Sequence, residues 1–255
     1  MPGQASSTSR GRRDFAPVGQ PATPLYHEAG LTPGGPLKNP VPDSRSVPDH
    51  NAANDQKWSQ RAATYDDARH DYFRFMQREL IALTRISAPA AFLDLGCGTG
   101  WAVRYVADRL KGNGRFVGVD IASGMIERAR RKADGLPNVE FYQASVDHLP
   151  LDDNAFDVAI CSNSFHHYLR PAEALQEIMR VLRPGGRLHI LDVTADDALI
   201  RWIDSRVRAR EKEHVRFYGT AEFVRLFEQA GLKHVRSSRI RLLYPLKVHI
   251  AKKGS

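Results

Sequence analysis

The sequence predicts an α/β fold, a doubly wound, mostly parallel seven-stranded sheet with helices on both faces. Three observations lead there. After Pro89, short apolar runs alternate with longer segments of helical periodicity, the pattern that builds βαβ units. The first apolar run is followed at once by a glycine-rich turn, Gly96-Cys97-Gly98-Thr99-Gly100, a strand-to-helix connection with room for a ligand. Pro184-Gly185-Gly186 then separates a helical repeat from another apolar run, as a helix stop before a strand.

The elements follow in order. Residues 1–55 hold nine of the fifteen prolines, and few large apolar residues recur there. Such a segment buries too little surface to offset its chain entropy, so a disordered tail is expected over 1–55 and one folded domain over 56–255. Residues 6–13 carry the Ser/Arg bias of an organellar transit segment, but the prolines that follow break any amphipathic helix. From Trp58 to residue 85, Ala62, Tyr65, Tyr72, Phe73, Met76, Leu80 and Leu83 recur at helical spacing. Strands are predicted at Ala91–Leu95, Arg115–Val119, Val139–Ala144, Phe156–Ser162, Arg187–Val193, Lys233–Ile240 and Leu246–Lys252. Helices are predicted at Trp101–Leu110, Ser123–Ala133 and Ala172–Leu182, with a last one capped by Thr220 and ended by Gly231.

Composition narrows the function classes. Of 255 residues, 42% are hydrophobic and 26% charged, enough apolar material for a core. No apolar run reaches the ~18 residues of a membrane span, and no apolar segment of a secretory signal follows the start. Two cysteines, Cys97 and Cys161, exclude a disulfide scaffold and point to a reducing, cytoplasmic setting. No Cys/His spacing suits zinc, so no metal is expected. The net charge is +8, and residues 201–255 hold 14 Lys/Arg against 5 Asp/Glu. A basic surface of that kind attracts nucleic acid or anionic lipid, or simply keeps the protein soluble.

Ligands of such sheets bind at the carboxyl ends of the strands. The turn there reads G-x-G-x-G rather than the G-x-G-x-x-G of dinucleotide sites, which argues against an NAD-dependent oxidoreductase. Asp94 precedes the turn, where a carboxylate suits a cationic group better than a pyrophosphate. Asp120 ends the second strand, where a carboxylate can accept from a ribose diol.

Leu93-Asp94-Leu95-Gly96-Cys97-Gly98-Thr99-Gly100, Gly118-Val119-Asp120-Ile121 with Met125, Ala144 to Pro150, Phe156-Asp157 and Leu182-Arg183-Pro184-Gly185-Gly186 follow one another in this order. In that order and spacing the chain resembles the Rossmann-like S-adenosylmethionine-dependent methyltransferases, and most of all the small-molecule enzymes similar to those of ubiquinone and menaquinone biosynthesis. The resemblance implies S-adenosylmethionine as cofactor and S-adenosylhomocysteine as product. It implies that Asp94, Gly96, Cys97 and Gly98 hold the methionine part, with Asp94 near its ammonium, and that Asp120 takes the ribose. Ile121 and Met125 would flank the adenine, and Ser145 and Val146 would meet its edge. Many relatives carry Asp where Ser145 stands. Ser162 and Asn163 would close the floor under the sulfonium, and Tyr65, in the leading helix, would cover the cofactor.

A sulfonium methyl is already activated, so catalysis asks for an in-line nucleophile and exclusion of water. A hydroxyl or amine acceptor also needs a base, which His166 and His167 could supply, His167 slightly ahead. Residues 194–218 would cover the acceptor, expected to be a small molecule attacked at carbon or oxygen. Ser162-Asn163-Ser164-Phe165 lacks the Pro-Pro-aromatic motif of enzymes that methylate base amines, so nucleic acid is not the expected partner. An RNA or protein methyltransferase using the basic C-terminal region, or a non-catalytic S-adenosylmethionine-binding protein, is the alternative.

Overall fold

The computed structural model describes residues 46–67, 71–241 and 245–255. The transit-like residues 6–13, and the expected tail up to residue 45, lie outside them. Seven strands form one sheet in the order β3-β2-β1-β4-β5-β7-β6. They are β1 (Ala90–Leu95), β2 (Gly114–Asp120), β3 (Val139–Gln143), β4 (Phe156–Ser162), β5 (Leu182–Val193), β6 (Leu232–Arg241) and β7 (Pro245–Lys253). The first five run parallel. β7 runs antiparallel to both β5 and β6, so the sheet is mixed, with one reversed strand next to its edge.

β1 is buried at all six positions, as a central strand covered on both faces must be. Helices α2 (Asp71–Thr84), α3 (Trp101–Arg109) and α4 (Ser123–Lys132) pack Met76, Leu80, Val103, Val106, Ile126 and Ala129 over one face. Helices α5 (Pro171–Val181) and α7 (Thr220–Gln229) pack Leu175, Ile178, Phe223 and Phe227 over the other. Strand order reverses between β1 and β4, and the crevice at their carboxyl ends is where such a sheet binds ligands.

Several expectations are corrected. Residues 46–55 are not part of a disordered tail: Ser46 caps helix α1 (Val47–Arg61) by accepting from the Asp49 N–H, with Pro48 in the first turn. The periodic stretch 58–85 is not one helix, because a turn at 62–66 separates α1 from α2. Tyr65 sits in that turn. Thr220 does not cap α7: Gly219 does, its N–H accepted by Glu222, while Thr220 donates N–H and hydroxyl to the Asp196 carboxylate. Pro184-Gly185-Gly186 does stop α5, but it lies inside β5, at a register shift where Gly185 takes φ +80°. Helix α6 (Ala198–Arg208) lies within the expected covering segment, beyond the end of β5.

Candidate active site

The site begins where β1 ends. The N–H groups of Gly96 and Cys97 donate to the Val119 carbonyl at 2.8 and 3.0 Å, folding the loop across β2. Gly96 and Gly100 are left-handed, at φ +71° and +74°. A Cβ at Gly96 would lie 2.1 Å from Ser164 Oγ, and one at Gly100 2.5 Å from the Phe141 ring. Only glycine meets both demands. A Cβ at Gly98 would lie 3.5 Å from the Tyr65 ring, so the turn after α1 lies against the loop. The Cys97 thiol is buried, and burial pushes its pKa well up, which makes it a packing group rather than a nucleophile.

Two carboxyl groups flank the loop in different states. Asp120 Oδ2 accepts the Gly98 N–H at 2.8 Å and Oδ1 the Ala122 N–H at 2.9 Å. Each oxygen keeps a lone pair for a further donor. Burial still raises its pKa above the ordinary carboxylate range. Asp94 is fully buried, and neither of its oxygens has a hydrogen-bond partner. Burial, and then the charge of Asp120, raise its pKa to about 8. Such a carboxyl stays protonated near neutral pH unless a cation arrives to pair with it. Asp94 lies behind the loop and is absent from the cavity wall, where the sequence had placed it beside the ligand.

That wall encloses about 1030 Å³. The other expected residues all line it. Gly96, Cys97, Gly98 and Asp120 form one side with Tyr65. Ile121, Met125, Ser145 and Val146 form the end beyond β2 and β3. Met125 also packs in a small core with Ala62 and Ala122, so its core role and its lining role coincide. Ser145 Oγ accepts a long hydrogen bond from Asn51. Ser162 and Asn163 line the cavity at the end of β4, Asn163 at φ +53° and donating to Ser162 Oγ at 3.3 Å.

His166 and His167 occupy a 3₁₀ turn, Phe165–His167, beyond β4. Both line the cavity, but they differ chemically. His166 Nδ1 sits 2.8 and 3.0 Å from the two oxygens of buried Asp192 at the end of β5. Its backbone N–H donates to the same carboxylate. His167 donates Nδ1–H to the Glu213 carbonyl at 2.7 Å. Burial, then the neighbouring His166, drive its pKa well below the usual value. A buried carboxylate thus orients the His166 imidazole, whereas a backbone carbonyl holds His167.

Sequence reasoning missed the contribution of α1, whose Asn51, Asn54 and Trp58 line the cavity. His50 donates Nε2–H to the His167 carbonyl at 2.7 Å, and the Trp58 ring meets His167 edge-on at 5.6 Å. The signal was present as His50, Asn54 and Trp58 at i, i+4, i+8 spacing, masked by the proline-rich stretch before it. Asp192 was missed because a carboxylate ending a strand shows its partner only in three dimensions.

Comparison with known proteins agrees with the geometry. Residues 93–190 match the family model described as a methyltransferase domain. An uncharacterised 37.1 kDa protein from a transposon of Streptomyces fradiae is 35% identical over 74% of this chain and 50% of its own length. The demethylmenaquinone methyltransferase of Clavibacter sepedonicus is 37% identical over 44% of this chain and 46% of its own. The chain thus spans about half the length of these curated relatives. Among solved structures, a chain from the complex between the Haloferax volcanii Trm112 methyltransferase activator and a methyltransferase superposes with TM-score 0.69 at 21% identity, covering 78% of this chain and 98% of that one. An S-adenosylmethionine-dependent methyltransferase from Aquifex aeolicus gives 0.60 at 22% identity, over 76% and 97%. At such identities the superpositions show a shared fold.

Proposed function

We propose, from the methyltransferase domain that residues 93–190 carry, that this protein transfers a methyl group from S-adenosylmethionine to a small-molecule acceptor. The observation that supports this most is the pair of carboxyls around the glycine loop. Asp120 stands at the cavity with lone pairs to spare, and Asp94 waits behind the loop without a partner. A ligand bearing a diol at one end and an ammonium near the other answers both. S-adenosylmethionine supplies a methyl group activated on a sulfonium.

The chain's own residues do the rest. Gly96, Cys97 and Gly98 let the backbone approach the amino-acid part, and the Asp94 carboxyl behind the loop favours its ammonium from a distance. Asp120 accepts from the ribose hydroxyls. Ile121 and Met125 flank the adenine, with Ser145 and Val146 at its edge, and Tyr65 covers the loop. Ser162 and Asn163 hold the floor beneath the reacting centre. His166 Nε2, with Nδ1–H pinned on Asp192, takes the acceptor's proton where the nucleophile is a hydroxyl. This assigns the base to His166 ahead of His167. Trp58, Leu169 and Phe217 on the wall suit a hydrophobic or aromatic metabolite attacked at oxygen or carbon. The demethylmenaquinone methyltransferase relative, at 37% identity, supports that choice.

We further propose that the working domain starts at α1 rather than at residue 56, and that it acts in the cytoplasm. Cys97 and Cys161, both free and buried, favour a reducing compartment. Isothermal titration with S-adenosylhomocysteine tests the reading. Saturable heat is expected. Folded protein that gives none overturns it.

A further inference from the structure

Helix α6 turns Ile200, Ile203, Asp204 and Val207 toward the body of the protein, half-buried or buried. Its outer face is unusual. Leu199 is 64% exposed and Trp202 56%, the two most exposed large apolar side chains among the described residues. They lie three residues apart, hence side by side on the helix. The Arg206 guanidinium rests over the Trp202 ring at 5.1 Å. Exposed Arg208 and Arg210 follow on the same end.

These cations are unmatched. Among the described residues no ion pair holds Arg206, Arg208 or Arg210, while the nearby carboxylates are each taken by other groups. Asp197 pairs with Arg239, Asp204 with His214, and Glu211 and Glu213 with Lys57. An apolar partner surface would leave the arginines without counter-ions. A nucleic acid would leave Leu199 without a partner. A lipid headgroup layer satisfies both, because its phosphates and carboxylates meet the guanidiniums while Leu199 and Trp202 enter the acyl boundary.

We propose that the Leu199–Trp202–Arg206 face of α6, with Arg208 and Arg210, docks the protein on an anionic lipid bilayer. The Phe217 N–H donates to Asp204 at 2.7 Å, which ties this helix to the segment whose Phe217 lines the cavity.

The test is cosedimentation of the full chain with vesicles of phosphatidylcholine alone or with roughly a third phosphatidylserine. Binding is expected to the second only, and to be lost in high salt. L199S/W202S, and separately R206Q/R208Q/R210Q, should each weaken it at least ~10-fold while the far-UV circular dichroism stays that of the parent, since the replaced side chains are exposed. W202F should retain most of it. Four outcomes overturn the proposal: no cosedimentation, undiminished binding in both variants, a single-stranded RNA that binds more tightly through Trp202 and displaces the vesicles, or a Trp202-dependent dimer in solution without lipid.

Discussion

At the scale of single residues, Asp94 makes a strong demand. A carboxyl held protonated to about pH 8 by burial is drawn toward ionisation when an ammonium settles on the far side of the loop. At pH 6.5, S-adenosylhomocysteine binding is therefore expected to release a fraction of a proton. Titrations in two buffers of different ionisation enthalpy read that number directly, and equal heats in both would sink the assignment. D94N should abolish the release. Asp120 acts on the sugar instead, and D120A is expected to weaken S-adenosylhomocysteine at least ~10-fold, since it removes a charged acceptor and frees two loop N–H groups. The His166–Asp192 pair belongs to turnover. D192N should lower kcat ~100-fold with cofactor affinity held, and H167Q less than ~10-fold. The reverse order would return the base to His167.

At the scale of elements, the contribution most hidden in the sequence is α1. It reaches the body through Asp55, which accepts from the N–H and hydroxyl of Ser123 and from Ser59, and through Ser59, which accepts the Gly124 N–H. Lys57 adds two carboxylates from the other side of the cavity, Glu211 and Glu213. D55A is expected to raise the cofactor KM several-fold while the midpoint of thermal unfolding moves by only a few degrees, because the sheet does not depend on α1. A large loss of stability with unchanged KM would contradict that. The strands and helices of the sheet were legible because each has its own period and its own stop, as in Phe92-Leu93-Asp94-Leu95 before the glycines. Loop glycines and Asp120 were legible because their chemistry is local. Helix α1 was not, since its two buried polar residues, His50 and Asn54, look like surface until the fold supplies the His167 carbonyl for one of them. The reversal of β7 was equally hidden, because periodicity says nothing about direction.

At the scale of the whole molecule, buried histidines couple folding to acid. Burial lowers His189 to about 4 and His249 to about 3, and drives His167 down as well. Unfolded chains protonate these side chains near pH 6.5 while the folded protein does not, so stability falls as pH drops from about 6.5 toward 4, by up to about 1.4 kcal/mol per pH unit for each. Asp94 opposes them. Its folded value lies above the unfolded one, so its contribution is lost as pH rises from about 4 to 8. Urea denaturation at pH 7, 6 and 5 should give a declining series. A flat or rising series would show that the histidines are not buried as described.

The position of β7 bears on how the protein is made. Synthesis delivers β6 before β7, yet β6 touches the sheet only through β7. Until Leu246, Val248 and Ile250 have left the ribosome, β5 presents an open, apolar border and β6 has no place to settle. The nascent polypeptide then carries an unpaired apolar edge, the kind of surface that associates with other chains.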